Sequence, residues 1–234
     1  THAKDNQISD SSYDTTKTWH GLSPFGITVI QEMQKQGIMI DVSHISDEAF
    51  YQVIANAKVP VIASHSSCRK FTPGWERNMT DEMIKALAKK NGVIMINFGS
   101  LFLDETVAKK RREVKKEITK ILTDKGINPA DPDAEKIIEE YYDKHPDTFS
   151  DVKTVADHID NVVKIAGINH VGIGSDFDGV GNSLPLGLKD VADYPNLIEE
   201  LLKRGYSESD IEKVCSGNVF RVWNHVLEYS TKNQ

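Results

Sequence analysis

Cysteine is nearly missing from this sequence: Cys68 and Cys215 are the only two in 234 residues. One pair makes no disulfide framework, and neither residue belongs to a C-x-x-C zinc or redox motif, so the redox compartment stays open. Long apolar runs are missing too. None approaches the roughly 18 residues a membrane span requires, and the polar start "THAKDNQISDSS" does not read as a signal peptide. Positive charge is in deficit, with a formal net charge of -7 and a pI near 5.6. That argues against a nucleic-acid scaffold, because phosphate binding depends on clustered Lys and Arg. The single basic run, "KKRREVKK", is followed by acidic residues and reads as a solvated helix face. What is present, 39% hydrophobic and 27% charged residues, is ordinary soluble globular composition, enough for one substantial core.

One unit recurs in kind along the chain. Ser23 caps a predicted helix with Pro24 at its first position; Ile27, Ile30 and Met33 share a face, and Gly37 ends it. The strand "IMIDV" follows. Ser46 caps "DEAFYQVIANA", with Phe50, Val53 and Ile54 on one side, and Pro60 leads into the strand "VIAS". Thr80 caps "DEMIKALAKKN", Gly92 stops it, and "VIMINF" is the third predicted strand. Residues 104–147 differ: this charged stretch, broken by "GINPADPD", reads as a helical insertion too sparse in apolar residues to form core. Helical order resumes with "DVKTVADHIDNVVKIAG", the fourth strand is "HVGIGS", and "NLIEELLKRG", "ESDIEKVC" and "NVFRVWNHVLEY" are three amphipathic helices. Strands that are apolar throughout and separated by helices predict a parallel sheet buried on both faces, hence an α/β fold.

In such sheets functional groups collect beyond the carboxyl ends of the strands. The first two strands both end on Ser-His, which places His44 and His65 on neighbouring strand ends about 4.8 Å apart. Two imidazoles so placed can share a metal ion; the plain alternative is a pair of hydrogen-bonded residues capping the next elements. On the fourth strand, "HVGIGSDFDGV" puts Asp176 at the corresponding position. Imidazoles with a carboxylate at strand ends form the ligand set expected for metal-assisted hydrolysis. "DFDGV" after a strand also resembles motif I of the haloacid-dehalogenase phosphatases, whose first Asp is a phosphorylated nucleophile. Those enzymes need a later Lys and an acidic pair after further strands, whereas only a helical tail follows Asp178 here.

Taken together, "WHGLSPFG", "IDVSHIS", "PVIASHSS", "RNMTDEMI", "VIMINF", "DHIDNVVKIAGINHVGIGSDFDG" and "GNVFRVW" resemble, in order and over nearly the whole chain, the membrane dipeptidase family of M19 metallopeptidases. The resemblance implies a TIM (β/α)8 barrel with two zinc ions bridged by a carboxylate and a water or hydroxide. His44 and His65 match the imidazole ligands of one zinc. Asp176 matches the aspartate beside the other zinc, which serves as acid and base. Arg77, before Asn78, matches the arginine that clamps the dipeptide carboxylate, and His2 matches a histidine that steadies the oxyanion. Without the resemblance, Arg77 reads as a surface ion pair and His2 as a frayed terminus.

The sequence departs from the family pattern in one respect. The other zinc is held in the family by a His-x-Asp pair on the first strand and by a bridging glutamate, both before the matched region. His145-Pro146-Asp147 lies in the insertion and His158-Ile159-Asp160 lies mid-helix, so neither ends a strand. Four predicted strands against the barrel's eight lead to the same expectation: the last four βα units, a C-terminal portion of one barrel domain. Such a half would expose two unpaired sheet edges. Two functions are expected to compete. One is a zinc dipeptidase taking L,L dipeptides and dipeptides with a C-terminal D residue, in which this stretch alone holds at most one weak zinc site. The other is a non-catalytic half-barrel that pairs with a second copy or with a separate N-terminal chain. Family members are membrane-anchored, periplasmic or cytosolic, so localisation is left open.

Overall fold

Helices start where capping side chains place them. In the computed structural model, which describes residues 1–233, Ser23 Oγ accepts from Gly26 N at 2.9 Å and opens α1 (Pro24–Lys35). Ser46 Oγ accepts from Ala49 N at 3.2 Å and opens α2 (Asp47–Asn56). Each cap satisfies a backbone donor that has no partner within its helix. The predicted faces are the buried ones: Ile30, Phe50 and Val53 enter the core, with Ile27, Met33 and Ile54 packed against it. After α1, Gly37 takes a positive φ of 73°, the conformation that favours glycine past a helix end.

The sheet follows: β1 (Ile62–Ser66), then α3 (Asp81–Lys89), capped by Thr80, then β2 (Val93–Ile96). The left-handed residue after α3 is Asn91 (φ 61°) and not the predicted stop, Gly92. Gly92 serves another purpose, because a Cβ there would lie 2.5 Å from the Val61 carbonyl oxygen. A short α4 (Ser100–Leu103) leads into α5 (Glu105–Asp124) and α6 (Pro132–Asp143). Then α7 (Val152–Ala166), capped by Asp151, precedes β3 (Val171–Ile173). The strands run parallel in the order β1-β2-β3, with Ala63 opposite Ile94 and Ile94 opposite Val171. Helices cover this sheet, so Ala63, Ile94, Ile96 and Val171 are all fully buried.

The first predicted strand is corrected. Residues 38–42 form only a parallel bridge between Asp41 and Ile62, with Ile62 N donating to Ile40 O at 3.0 Å and Val42 N to Ile62 O at 2.7 Å. Polar side chains stop the ladder there. Ser64 N donates to Asp41 Oδ1 (3.0 Å) and His65 N to Ser43 Oγ (3.1 Å), so these two β1 donors go to side chains. The sheet therefore has three strands, extended on one edge by this bridge.

The insertion also differs from expectation, since it carries a small core of its own. Val114, Ile118 and Leu122 on α5 pack with Ala134 and Tyr142 across to α6. Arg111 is buried at the base of this cluster, its guanidinium 4.4 Å from the Tyr142 ring and 4.9 Å from the Phe149 ring. Desolvation is offset there by the aromatic faces and by hydrogen bonds to Thr148 O and Asn182 Oδ1.

At the C-terminus, α8 (Tyr194–Lys203) and α9 (Glu208–Glu212) are followed by a π-helical turn, Lys213–Gly217, that runs directly into α10 (Asn218–Lys232). The last two predicted helices are thus joined. Asn218 Nδ2 donates to Ile168 O (2.7 Å) and Val171 O (2.8 Å), which pins α10 to the start of β3.

Just beyond β3 three stretches of backbone come close together. A Cβ on Gly174 would stand 2.2 Å from Ser64 O and 2.8 Å from Met95 O, both of them backbone atoms that cannot swing aside. Gly174→Ala is expected to destabilise the protein by about 1–3 kcal/mol. The check is a lower urea midpoint at unchanged m-value; an unchanged midpoint would contradict so close an approach.

Candidate active site

His44 follows the bridge at residues 38–42, and the chain turns there at a φ of 73°, a left-handed conformation unusual outside glycine. Ser12 N holds the turn by donating to His44 O at 2.7 Å. His65 lies on β1, one residue before its end. The two rings meet: their Nε2 atoms are 2.8 Å apart and their centroids 4.8 Å apart. Behind His65 runs a polar chain, in which its Nδ1 contacts Ser64 Oγ at 2.7 Å and Ser64 Oγ donates to Asp41 Oδ2 at 2.5 Å. Burial pushes both imidazole pKa values below the ordinary range, helped by the nearby Arg77 charge, and takes His44 down to about 3. Near pH 7 both rings are therefore neutral, which is the form that ligates metal.

His2 sits beside this pair, its ring centroid 4.3 Å from that of His44, and Ser11 Oγ hydrogen-bonds to its backbone carbonyl. The terminus is thereby tied down. Arg77 is not the surface ion pair that the residue alone suggests. It is 2% exposed, it donates to Ser66 Oγ (2.7 Å) and His65 O (2.6 Å), and among the described residues it forms no ion pair. Its Nε is buried without a partner. Burial lowers its pKa, while Tyr13, Asp41 and Asp176 act in the opposite direction. Asn78 commits both amide donors inside the fold, to Thr72 Oγ1 and Phe102 O, each at 2.8 Å. Tyr13, Trp75 and Phe102 form an aromatic wall next to Arg77, with Trp75 and Phe102 centroids 4.7 Å apart.

Asp176 lies past β3 with a φ of 60° and accepts from Asn97 Nδ2 at 2.8 Å. Gly179 permits this pose, since a Cβ there would come 2.0 Å from Asp176 Oδ1. The carboxylate acts electrostatically on His65, Tyr13 and Arg77. It does not join the imidazole pair, however: among the described residues no three His, Cys, Asp or Glu side chains form a group that could hold a metal ion. The donors that are present fit part of a metal site, two neutral rings whose Nε2 atoms meet at one point.

The His-x-Asp strings stand apart from this place. His158 is fully buried, accepting from Cys68 N at 3.0 Å through Nδ1 and bonding Leu103 O at 2.9 Å through Nε2. It is a structural cross-link behind β1. His145 stacks on Tyr141 within the insertion, and Asp147 pairs with Lys110. Sequence reasoning missed Asp41, Ser64, Tyr13 and Asn97. Two of them had a signal: Asp41 breaks a β-branched run, and Asn97 is the one polar residue in the third predicted strand, next to its end.

Imidazoles gathered at the carboxyl edge of a parallel α/β sheet, with a buried arginine beside them, define a protein built like the metal-dependent hydrolases. The chain belongs to the membrane dipeptidase family (peptidase family M19), which matches residues 1–234. A dipeptidase, tcpJ, of Claviceps purpurea (strain 20.1) is 33% identical over 233 residues, covering 100% of this chain and 45% of the relative. The chain thus spans less than half the length of that relative. Among solved structures, the probable dipeptidase PvdM from Pseudomonas aeruginosa is 27% identical with a TM-score of 0.77, covering 98% of this chain and 62% of that one. A metallopeptidase from Rhodobacter sphaeroides, solved with a phosphinate mimic of the dipeptide L-Ala-D-Ala, shares the fold at 24% identity and a TM-score of 0.72, covering 96% and 54%.

Buried neutral histidines make stability depend on pH. Burial pushes His158 down to about 4, against about 6.5 in the unfolded chain. The unfolded state then binds a proton that the folded state refuses, so stability is full above about pH 6.5 and falls as the pH drops toward 4. His158 accounts for on the order of 3 kcal/mol of that loss. Urea midpoints of wild type and His158→Gln at about pH 7.5 and 4.5 check this: the variant is expected to show a clearly smaller difference between the two conditions, and an equal difference would contradict it.

Proposed function

We propose that this chain supplies one half of the active site of a zinc-dependent dipeptidase, the half that holds one zinc between His44 and His65, clamps the substrate carboxylate and moves the proton. The observation that carries this reading is the 2.8 Å approach of two neutral imidazole Nε2 atoms, one on β1 and one just past the bridge on its edge. Zinc, when bound, would polarise the peptide carbonyl and make water a usable nucleophile near neutral pH. The remaining roles belong to the chain itself. Asp176, oriented by Asn97, takes the proton from the attacking water and delivers it to the leaving amine. Arg77 grips the free carboxylate of the dipeptide, a match of planar fork to planar anion that accounts for exopeptidase action. Its unpartnered Nε supports that role. His2, against His44, donates to the oxygen on which negative charge develops.

The substrates proposed are L,L dipeptides and dipeptides with a C-terminal D residue, supported by the L-Ala-D-Ala mimic bound to the Rhodobacter relative. In the whole enzyme the architecture proposed is a (β/α)8 barrel, to which this chain contributes about the last four βα units. The second zinc's His-x-Asp pair and bridging glutamate then come from the remainder. No helix of the described residues is long and apolar enough to cross a membrane.

Zinc titration of the chain by chelator competition is expected to show one weak site, lost in His65→Ala, with no turnover of L-Ala-D-Ala. A polypeptide of the relatives' length should hydrolyse that dipeptide, and Asp176→Asn in it should lower kcat by about 100-fold or more. Zinc binding that survives His65→Ala, or dipeptide turnover by the present chain at the rate of the longer one, would refute the assignment.

A further inference from the structure

We propose that Asp41 and Ser64 are positioning residues that fix the proton of His65 on Nδ1 and thereby that of His44 on Nε2, so the two facing imidazoles carry opposite tautomers. The argument counts hydrogens. Asp41 Oδ1 accepts from Ser43 N and Ser64 N, both at 3.0 Å, and Oδ2 receives the Ser64 hydroxyl at 2.5 Å. A carboxylate can only accept, so the single Ser64 hydroxyl hydrogen points to Asp41. The Ser64 oxygen, 2.7 Å from His65 Nδ1, must then be the acceptor, and Nδ1 carries the hydrogen. In the neutral ring this leaves a lone pair on His65 Nε2. The 2.8 Å contact to His44 Nε2 needs one hydrogen between two nitrogens, and only His44 can provide it. His44 Nδ1 is consequently a bare acceptor, in agreement with its being buried with no hydrogen-bond partner.

The rings are thus unequal toward a metal. His65 presents a lone pair backed by a carboxylate through one hydroxyl, the kind of outer support that orients ligating histidines. His44 must move its proton from Nε2 to Nδ1, where no acceptor waits, before it can ligate through Nε2. The proton assignment stands without metal; only this consequence rests on the proposed function.

Asp41→Asn gives a directional test. Its carbonyl oxygen is required by the two backbone donors, so its NH2 faces Ser64 and reverses the hydroxyl. Ser64 then donates to His65 Nδ1, and both rings invert. Long-range 1H–15N correlation spectra of the histidine-labelled, metal-free chain, recorded at about pH 8 to keep the rings neutral, read the tautomers directly. Wild type should show a protonated Nδ1 on His65 and a protonated Nε2 on His44. Asp41→Asn should show the reverse, and Ser64→Ala should leave His65 populating both forms. His158, locked between Cys68 and Leu103, reports in the same spectrum that each variant is folded. Chelator competition with zinc should find Asp41→Asn weaker by about 10–100-fold.

A wild-type His65 protonated on Nε2, or Asp41→Asn with the wild-type tautomers beside an unchanged His158, would overturn the proposal; an inverted Asp41→Asn with undiminished zinc affinity would overturn only its consequence for metal binding. Correct tautomers whose signals do not respond to zinc would instead refute the metal reading of the pair and uphold the proton assignment.

Discussion

The site is built on two backbone donors of β1 that bond to side chains instead of to a neighbouring strand. Ser64 N goes to Asp41 and His65 N to Ser43 Oγ. Had the ladder continued, the segment after residue 42 would have stayed extended alongside β1, alternating its side chains between the faces of the sheet. With the ladder capped, the chain turns away at His44 in a left-handed conformation, and the imidazole swings across onto His65. Asp176 takes the same conformation past β3. Left-handed backbone at non-glycine residues costs free energy and persists only where surroundings hold it. Here Ser12 holds the first turn, and Asn97 with Gly179 the second.

A second constraint is electrostatic. Arg77 is buried directly behind the imidazoles, bonding the carbonyl of His65 and the hydroxyl of Ser66. The loss of solvent and its charge both disfavour protonation of the rings, so near pH 7 the pair is neutral beside a fixed cation. Asp41 and Asp176 offset that cation from a distance without pairing with it. One guanidinium therefore both helps to keep the imidazoles neutral and sets a buried positive charge beside them.

Much of the scaffold was legible in the sequence. Ser23, Ser46 and Thr80 cap the helices they were expected to cap, because capping is a local event fixed by a few adjacent residues. The parallel order and the buried faces followed from uninterrupted apolar runs. The joining of α9 to α10 was not legible, since a π turn reads in sequence like any loop between amphipathic stretches. Nor was the insertion's own core, because Val114, Ile118 and Leu122 are too few to signal one until Ala134 and Tyr142 arrive from another helix.

The sequence by itself determined the family and the parallel α/β order, for these rest on local periodicity and on where apolar runs begin and end. Tertiary structure decided the rest. It turned Arg77 from a surface charge into a buried cation, committed Asn78 to the fold, kept Asp176 on Asn97 and outside the imidazole pair, and threaded Asp41 and Ser64 behind His65. Those outcomes depend on partners 6 to 79 residues away brought together only by the fold, and no pattern of spacing along the chain encodes which hydroxyl faces which carboxylate.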